Sequence, residues 1–317
     1  MQTIYKTATN TSNILSVNVT NGHGMQTATT TVEALNTTLD VGDEIVVDIG
    51  YVGDHDVAFT GYVKSIQTSE SPIKYTITAM DTLSRAMDYF IVSSSPETPM
   101  TRQNIQAENL VHDIMEVAGL TNYSGDATSF TFGVNGPVEI NLVSSYDYAK
   151  FLADLIAWHI YATSSGQVRF LDRKPYVMGG DTPYKTIIIT DTTAMDYSED
   201  IENLRNRVVL YGANNITAEA SSSSPYLPNG FYKSAVISTL IVDTQTMADQ
   251  SVAYNLALYN RLTKGVSMTV IGDQELESRK VLTLNTGNVT FDGDWYIYGV
   301  SHTINSAGFI TELELRN

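Results

Sequence analysis

Carboxylates and histidines are the residues of this chain best suited to chemistry. Asp54-His55-Asp56, with Asp43 and Asp48 close by, sets two carboxylates around an imidazole, a donor set that suits a divalent cation. On a strand, though, residues i and i+2 point one way and i+1 the other, so these donors converge only in a loop. Asp196, Glu199, Asp200 and Glu202 form a second acidic patch. A carboxylate pair cleaves glycosides when it straddles a sugar cleft and an apolar pocket raises the pKa of one member. These four crowd a polar connection and are expected to be exposed. The remaining histidines, His23, His112, His159 and His302, are scattered. His159 sits beside Trp158 on an expected strand, where a lone histidine is expected to be a surface or satisfied core residue. There is no Gly-x-Ser-x-Gly elbow, P-loop, Gly-x-Gly-x-x-Gly fingerprint or His-Glu-x-x-His pair. The absence of cysteine excludes thiol nucleophiles, zinc–thiolate sites, iron–sulfur clusters and disulfides. The expectation is therefore no catalytic, cofactor-binding or metal-binding residue, and no enzyme.

The elements that would position these side chains are mostly strands. Ile14–Val19 alternates, Gln26–Leu35 is rich in threonine, Ile45–Ile49 is β-branched, and Phe59–Ile66 and Ile73–Met80 follow after turns. Gly50–Asp56 is expected to be the hairpin loop, with Gly50 and Gly53 supplying turn freedom. Ser93–Pro99, with three serines and two prolines, predicts a linker. The period then changes. Leu110, Ile114 and Ala118 fall on one helical face within Ile105–Ala118, with Asn104 as N-cap and Gly119 just past the end. Ser144-Ser145-Tyr146-Asp147 has the form of a capping box opening a helix over Ser145–Ala157. A hairpin follows, Trp158–Ala162 and Val168–Leu171. Tyr176–Pro183 predicts a second linker.

Beyond it, strands are expected at Thr186–Thr190, Arg207–Tyr211 and Ser234–Val242, with a loop at Ser221–Pro228. A third helix spans Thr246–Thr263, capped by Thr246-x-x-Asp249. Val266–Ile271, Lys280–Leu284, Trp295–Ile304 and Phe309–Leu315 are the last strands. One echo is visible: Gly61-Tyr-Val-Lys-Ser-Ile, a turn, then Tyr75-Thr-Ile-Thr resembles Gly299-Val-Ser-His-Thr-Ile, a turn, then Phe309-Ile-Thr-Glu. It reads either as a likeness common to hairpins or as two related β-domains around an α/β insert.

At 317 residues the chain is long enough for two or three domains. Hydrophobic residues at 43% suffice for real cores, and charged residues at 17% fall below the usual ~25%. No stretch approaches the ~18 apolar residues of a membrane helix, and Met1–Asn10 has no signal-peptide pattern. The formal net charge is −17, with 18 basic and 35 acidic residues and no basic run. That argues against a nucleic-acid interface built on Lys and Arg. It fits ordinary solubility first, and second a surface past which DNA slides without sticking.

The order of these features resembles the phage baseplate or tail-tip hub family, related to late control protein D and to the hub-like N-terminal part of type VI secretion spikes. Four places carry the likeness: Phe59–Ile66 followed by Tyr75–Leu83; the helix through Leu110–Leu120 ending Ala-Gly-Leu; Ser144–Leu171 ending Gly-Gln-Val-Arg-Phe-Leu; and Glu202-Asn-Leu-Arg-Asn-Arg-Val-Val-Leu-Tyr-Gly212. The resemblance implies a mainly β (α+β) fold with two tail-tube-like β-barrel domains, residues 1–95 and 185–317, and a small α/β domain, residues 96–184, inserted between them. It implies a homotrimer whose six related lobes match a hexameric tail tube. Expected partners are the tube protein, a spike or tail fibre, and the tape measure or other baseplate proteins. DNA passes without stable binding, and the location is the tip of the virion tail. Two other readings stay open. One is a carbohydrate-binding or glycan-cleaving β-protein using Trp158, Trp295 and the tyrosines. The other is a tail-tube or completion protein, against which the helical insert argues.

Overall fold

A computed structural model describes residues 3–92 and 99–317. The expected linker Ser93–Pro99 lies outside the described residues but for Pro99. Strands make up 48% of the chain and helices 16%, so the fold is mainly β, as expected.

Alternating sequence builds the first six strands: β1 (Ile4–Ala8), β2 (Thr11–Gly22), β3 (Thr29–Thr37), β4 (Glu44–Tyr51), β5 (Asp54–Glu70) and β6 (Ile73–Asp81). They pair in the order β1-β4-β5-β6-β3-β2, and β1 also meets β2, so the pairings return on themselves. Val17, Val32, Ile45, Ile49, Phe59 and Ile77 form the buried cluster within, while Asn18, Thr20, Thr29, Thr31 and Thr78 alternate onto the other face. Gly61 has no room for a side chain, since a Cβ there would lie 2.1 Å from the Met80 carbonyl. Gly50–Asp56 is not a loop: β4 runs to Tyr51, β5 starts at Asp54, and only Val52-Gly53 turns. Gly53, at φ +87°, supplies the left-handed residue such a tight turn requires.

A helix-rich block follows: α1 (Leu83–Asp88), α2 (Ala107–Val117), β7 (Tyr123–Gly125), α3 (Ser145–Leu155), β8 (His159–Ala162) and β9 (Val168–Leu171). The Ser144 hydroxyl accepts the Asp147 N–H at 3.0 Å, which is the cap read from sequence. At α2 the cap position belongs to Gln106; Asn104, two residues earlier, takes a positive φ of 51°. Gly119, at φ +78°, ends α2 as expected. The segment Tyr176–Pro183 is irregular, yet it is tied down by Arg173 Nη1 on Asp181 at 2.8 Å.

The rest of the chain contains β10 (Lys185–Ile188), β11 (Thr192–Asp200), β12 (Arg207–Tyr211), β13 (Thr217–Ser221), β14 (Ser234–Ser238), α4 (Gln245–Tyr259), β15 (Thr263–Ile271), β16 (Val281–Asn285), β17 (Gly293–Asn305) and β18 (Gly308–Arg316). The cap of α4 lies two residues before the expected one: Thr244 Oγ1, not Thr246, accepts the Met247 N–H at 3.2 Å. It also stops at Tyr259, because Thr263 already pairs with Asp200 in the sheet; sheet pairing overrides helical periodicity there. Val208, Leu210, Val242, Met247, Ala248 and Val252 pack with α1–α3 in a single cluster. The helix-rich block therefore draws α4 and β12–β14 from the later part of the chain.

The remaining six strands pair in the order β10-β16-β17-β18-β15-β11, position for position the order of β1–β6. One strand departs: β10 runs parallel to β16, whereas β1 is antiparallel to β4. The two halves join through β2 and β17, Val17 opposite Ile304 to Gly22 opposite Gly299, making one 12-stranded sheet.

Local irregularities repeat with the order. β5 carries an extra residue, Lys64, against β6, and β17 carries Tyr298 against β18. β2 carries Leu15 against β3, and β11 carries Thr193 against β15. Just before its bulge, Val63 exchanges two backbone bonds with Gly42 and Asp43, and Ile297 does the same with Arg279 and Lys280. Gly42 and Arg279 both hold positive φ, 96° and 71°. The echo seen in the sequence thus joins equivalent hairpins, but in the wrong register: the bulges set Ser65, not Gly61, against Gly299.

Candidate functional site

The proposed chemical groups do not assemble. Asp54, His55 and Asp56 lie on a strand and are exposed, and His55 Nδ1 pairs instead with Asp48 across the ladder at 2.9 Å, its ring stacked on Tyr5. Asp196, Glu199, Asp200 and Glu202 are exposed, as expected, but the first three lie on β11 and not in a connection. Trp295 is buried, with its indole N–H on the Phe291 carbonyl at 2.7 Å. Trp158 packs on Phe170. Neither presents an open platform for a sugar ring.

Among the described residues, His112, Asp113 and Glu116 are the one group whose donor atoms come within 4.8 Å of one another. Their i, i+1, i+4 spacing on α2 is legible in the sequence but was not singled out. Arg102 Nε already occupies Asp113 at 2.5 Å, so the group reads as a surface ion pair.

Sequence reasoning also missed a buried polar knot. Arg279 lies just before β16 and is 9% exposed. Its Nε donates to His159 Nε2 at 3.0 Å, Nη1 to Asn21 Oδ1 at 2.9 Å, and Nη2 to the Gly22 carbonyl at 2.8 Å. The guanidinium stands 4.2 Å over the Tyr161 ring. No carboxylate within ion-pair distance balances it among the described residues. Burial and the neighbouring cations hold His23 and His159 far below ordinary histidine pKa values, so both rings are neutral. They stack at 3.8 Å, and His23 Nδ1 meets the Tyr296 hydroxyl at 2.6 Å. One arginine thereby fastens β2, the helix-rich block and the second half of the sheet. The sequence marks it only as a charge among polar residues.

The most extended surface feature is the outer face of the sheet. Register carries it unbroken from one half to the other. Asp196 opposes Ser267, which opposes Glu314. One step along, Thr269, Glu312, Ser301, Thr20 and Thr29 follow one another across five strands. Asn18 donates to Thr303 Oγ1 at 2.8 Å across the junction. Hydroxyls and amides dominate. The acids include Asp196, Asp200, Glu312, Glu314 and Glu33; the cations, Lys74 and Arg316, are each paired, with Glu33 at 2.8 Å and Glu314 at 2.9 Å. Among the described residues such a face offers no free cation to phosphate; its one exposed apolar pair is Ile271 opposite Ile310.

This fold is one found in phage tails and in type VI secretion. The 43 kDa tail protein of prophage MuSo2 from Shewanella oneidensis matches with a TM-score of 0.71 at 14% identity, over 99% of this chain and 98% of its own. A tail protein from Neisseria meningitidis matches with a TM-score of 0.71 at 10% identity, over 99% and 97%. The E. coli c3393 protein is described as a type VI secretion component similar to the T4 tail proteins gp27 and gp5. It matches with a TM-score of 0.63 at 7% identity, over 98% of this chain and 76% of its own. No family model and no curated protein matches the sequence. The resemblance noted from sequence therefore holds at the level of fold.

Proposed function

We propose that this chain is a structural hub of a phage tail tip or baseplate, and not an enzyme. Three copies form a ring that joins a hexameric tail tube to a trimeric spike or fibre and lets DNA pass. What supports the reading is the repeated six-strand order, with both halves sharing one polar, acid-bearing face. Each half serves as a tube-like barrel lobe, in residues 1–95 and 185–317. The α/β block of residues 96–184, extended in space by α4 and β12–β14, is inserted between them in the sequence. Three chains with two lobes each meet a sixfold tube without either lobe changing fold. The tape measure and other baseplate proteins are further partners, and the working location is the virion tail tip.

The shared polar face lines the bore. Screening at physiological salt limits repulsion to ~8 Å, so only acids on the bore wall keep phosphates from adhering. Trp295 is buried and Trp158 packs on Phe170, so neither tryptophan supports the glycan reading. Mass in solution, alone and with tube protein, tests the proposal: the expected assembly is three times 34.8 kDa with a central opening. A stable dimer, or a lumen lined by Lys and Arg, overturns it.

A further inference from the structure

The repeat within the sheet leaves two edges unmatched, and each is the counterpart of a strand that is matched elsewhere in the same chain. β17 is paired along one edge first by β16, then through Ile297 by Arg279 and Lys280, and finally from Gly299 to Ile304 by β2. β5 repeats the first two steps, with β4 through Tyr62 and then Gly42 and Asp43 on Val63. From Ser65 to Glu70 that edge has no strand beside it. Conversely, β2 is held between β3 and β17, whereas its counterpart β11 pairs with β15 alone. Neither open edge is shielded by proline, and Gln67, Thr68, Ser69 and Ser198 are exposed. Long open edges of this kind template pairing with another chain.

We infer that β11 of one copy adds to the open half of β5 of the next, reproducing between chains the β2–β17 junction within the chain. The occupant is a second copy because the chain already contains the finished version of the same joint. This rests on the ring reading above and assigns its contact surface. The matching bulges fix the register. Ser65 corresponds to Gly299 and Tyr197 to Val19, so Gly22 opposite Gly299 becomes Asp200 opposite Ser65. Thr20 opposite Ser301 becomes Ser198 opposite Gln67. Val19 opposite His302 becomes Tyr197 opposite Thr68. The bulge residue Lys64 takes the place of Tyr298, whose carbonyl accepts the His23 N–H at 2.7 Å. That sets the Lys64 ammonium, which pairs with Asp88 in its own chain, near Asp200 and Glu202 of the neighbour. The contact is head-to-tail, with a different surface from each copy, so repetition generates a ring where the rotation closes. The polar face then continues across every subunit boundary.

The chain has no cysteine, which makes disulfide trapping unambiguous. Ser198→Cys with Gln67→Cys places two thiols on residues directly opposite, at the ~5 Å Cα separation an antiparallel pair provides and a disulfide accepts. Ser198→Cys with Ser65→Cys is shifted by two residues, to about 8 Å, beyond reach. Mild oxidation of the full chain, read on a non-reducing gel beside native mass spectrometry, is expected to give covalent oligomers up to the ring. The first pair should link on the order of tenfold more than the second. A ring in which the first pair stays reduced, or the two pairs link equally, overturns the edge assignment and leaves the hub reading intact. A chain that remains a monomer without cross-links overturns this inference and the solution ring together.

Discussion

At the scale of single residues the molecule is governed by buried polar groups that the chain order does not reveal. His302 is enclosed between β17 and β18, with Nδ1 3.0 Å from Thr311 Oγ1 and Nε2 3.1 Å from the Leu276 carbonyl. The carbonyl can only accept, so Nε2 carries the proton and Nδ1 takes the hydroxyl hydrogen. Burial pushes this ring down to about 4, alongside His23 at about 2 and His159 well below the ordinary value. An unfolded histidine titrates near 6.5. Below that pH the unfolded chain takes up protons that the folded one refuses, so stability is full above ~6.5 and falls on acidification. Asp81 works the other way. Its burial raises the carboxyl to about 7, a contribution present below ~4 and lost as pH rises through 7. Three histidines outweigh one carboxyl between pH 4 and 6.5. Urea titrations across that window should show falling stability, and His302→Gln should flatten the slope by about 1.4 kcal/mol per pH unit. Arg279→Met leaves His159, Asn21 and Gly22 without their donor, and is expected to cost about 3–5 kcal/mol in the same assay. A loss below ~1 kcal/mol would show that the knot is not a fastening.

At the scale of elements, what was legible was what short-range rules govern. The Ser144 cap is written in a four-residue pattern, and Ser144→Ala should lower stability by about 1 kcal/mol, seen as a lower denaturation midpoint with unchanged helix content. Strands with strict alternation, such as Ile73–Met80 and Phe309–Leu315, were placed to within a residue or two. Errors came where a distant partner decides. Thr263 continues an apolar helical pattern, yet Asp200, some sixty residues earlier, claims it for the sheet. The hairpin echo was real, but its first strand is displaced by four residues, and only the paired bulges show the true alignment. Lys64 and Tyr298, the two bulge residues, share no side-chain property that would mark them. The candidate site was legible only as composition, many threonines and a net charge of −17; which acids share a face depends on pairings between the two ends of the chain.

For the whole molecule, the polar face gives charge an address. Asp196, Glu312 and Glu314 are exposed and sit on strands whose cores they do not touch, so replacing all three by Lys should leave the fold intact. The variant is expected to retain duplex DNA in a mobility-shift assay at low salt and to release it as salt rises, while the parent chain binds none. Equal behaviour of the two would remove these acids from any role in passing DNA.

The joint between β2 and β17 also sets a timetable. All the mutual partners of β1–β6 exist once residue 81 has left the ribosome, but the outer edge of β2 waits for Gly299–Ile304, near the far end of the chain. At about 5–20 residues per second, that wait is on the order of ten to forty seconds. Throughout it, the nascent chain displays Val17–Gly22 as an unsatisfied strand edge, on polysomes where other copies of β17 are being made nearby. A chain that can complete itself with its own β17 can, during synthesis, be completed by a sister's. Slower translation of the middle of the message should therefore favour strand-exchanged oligomers over correctly closed monomers.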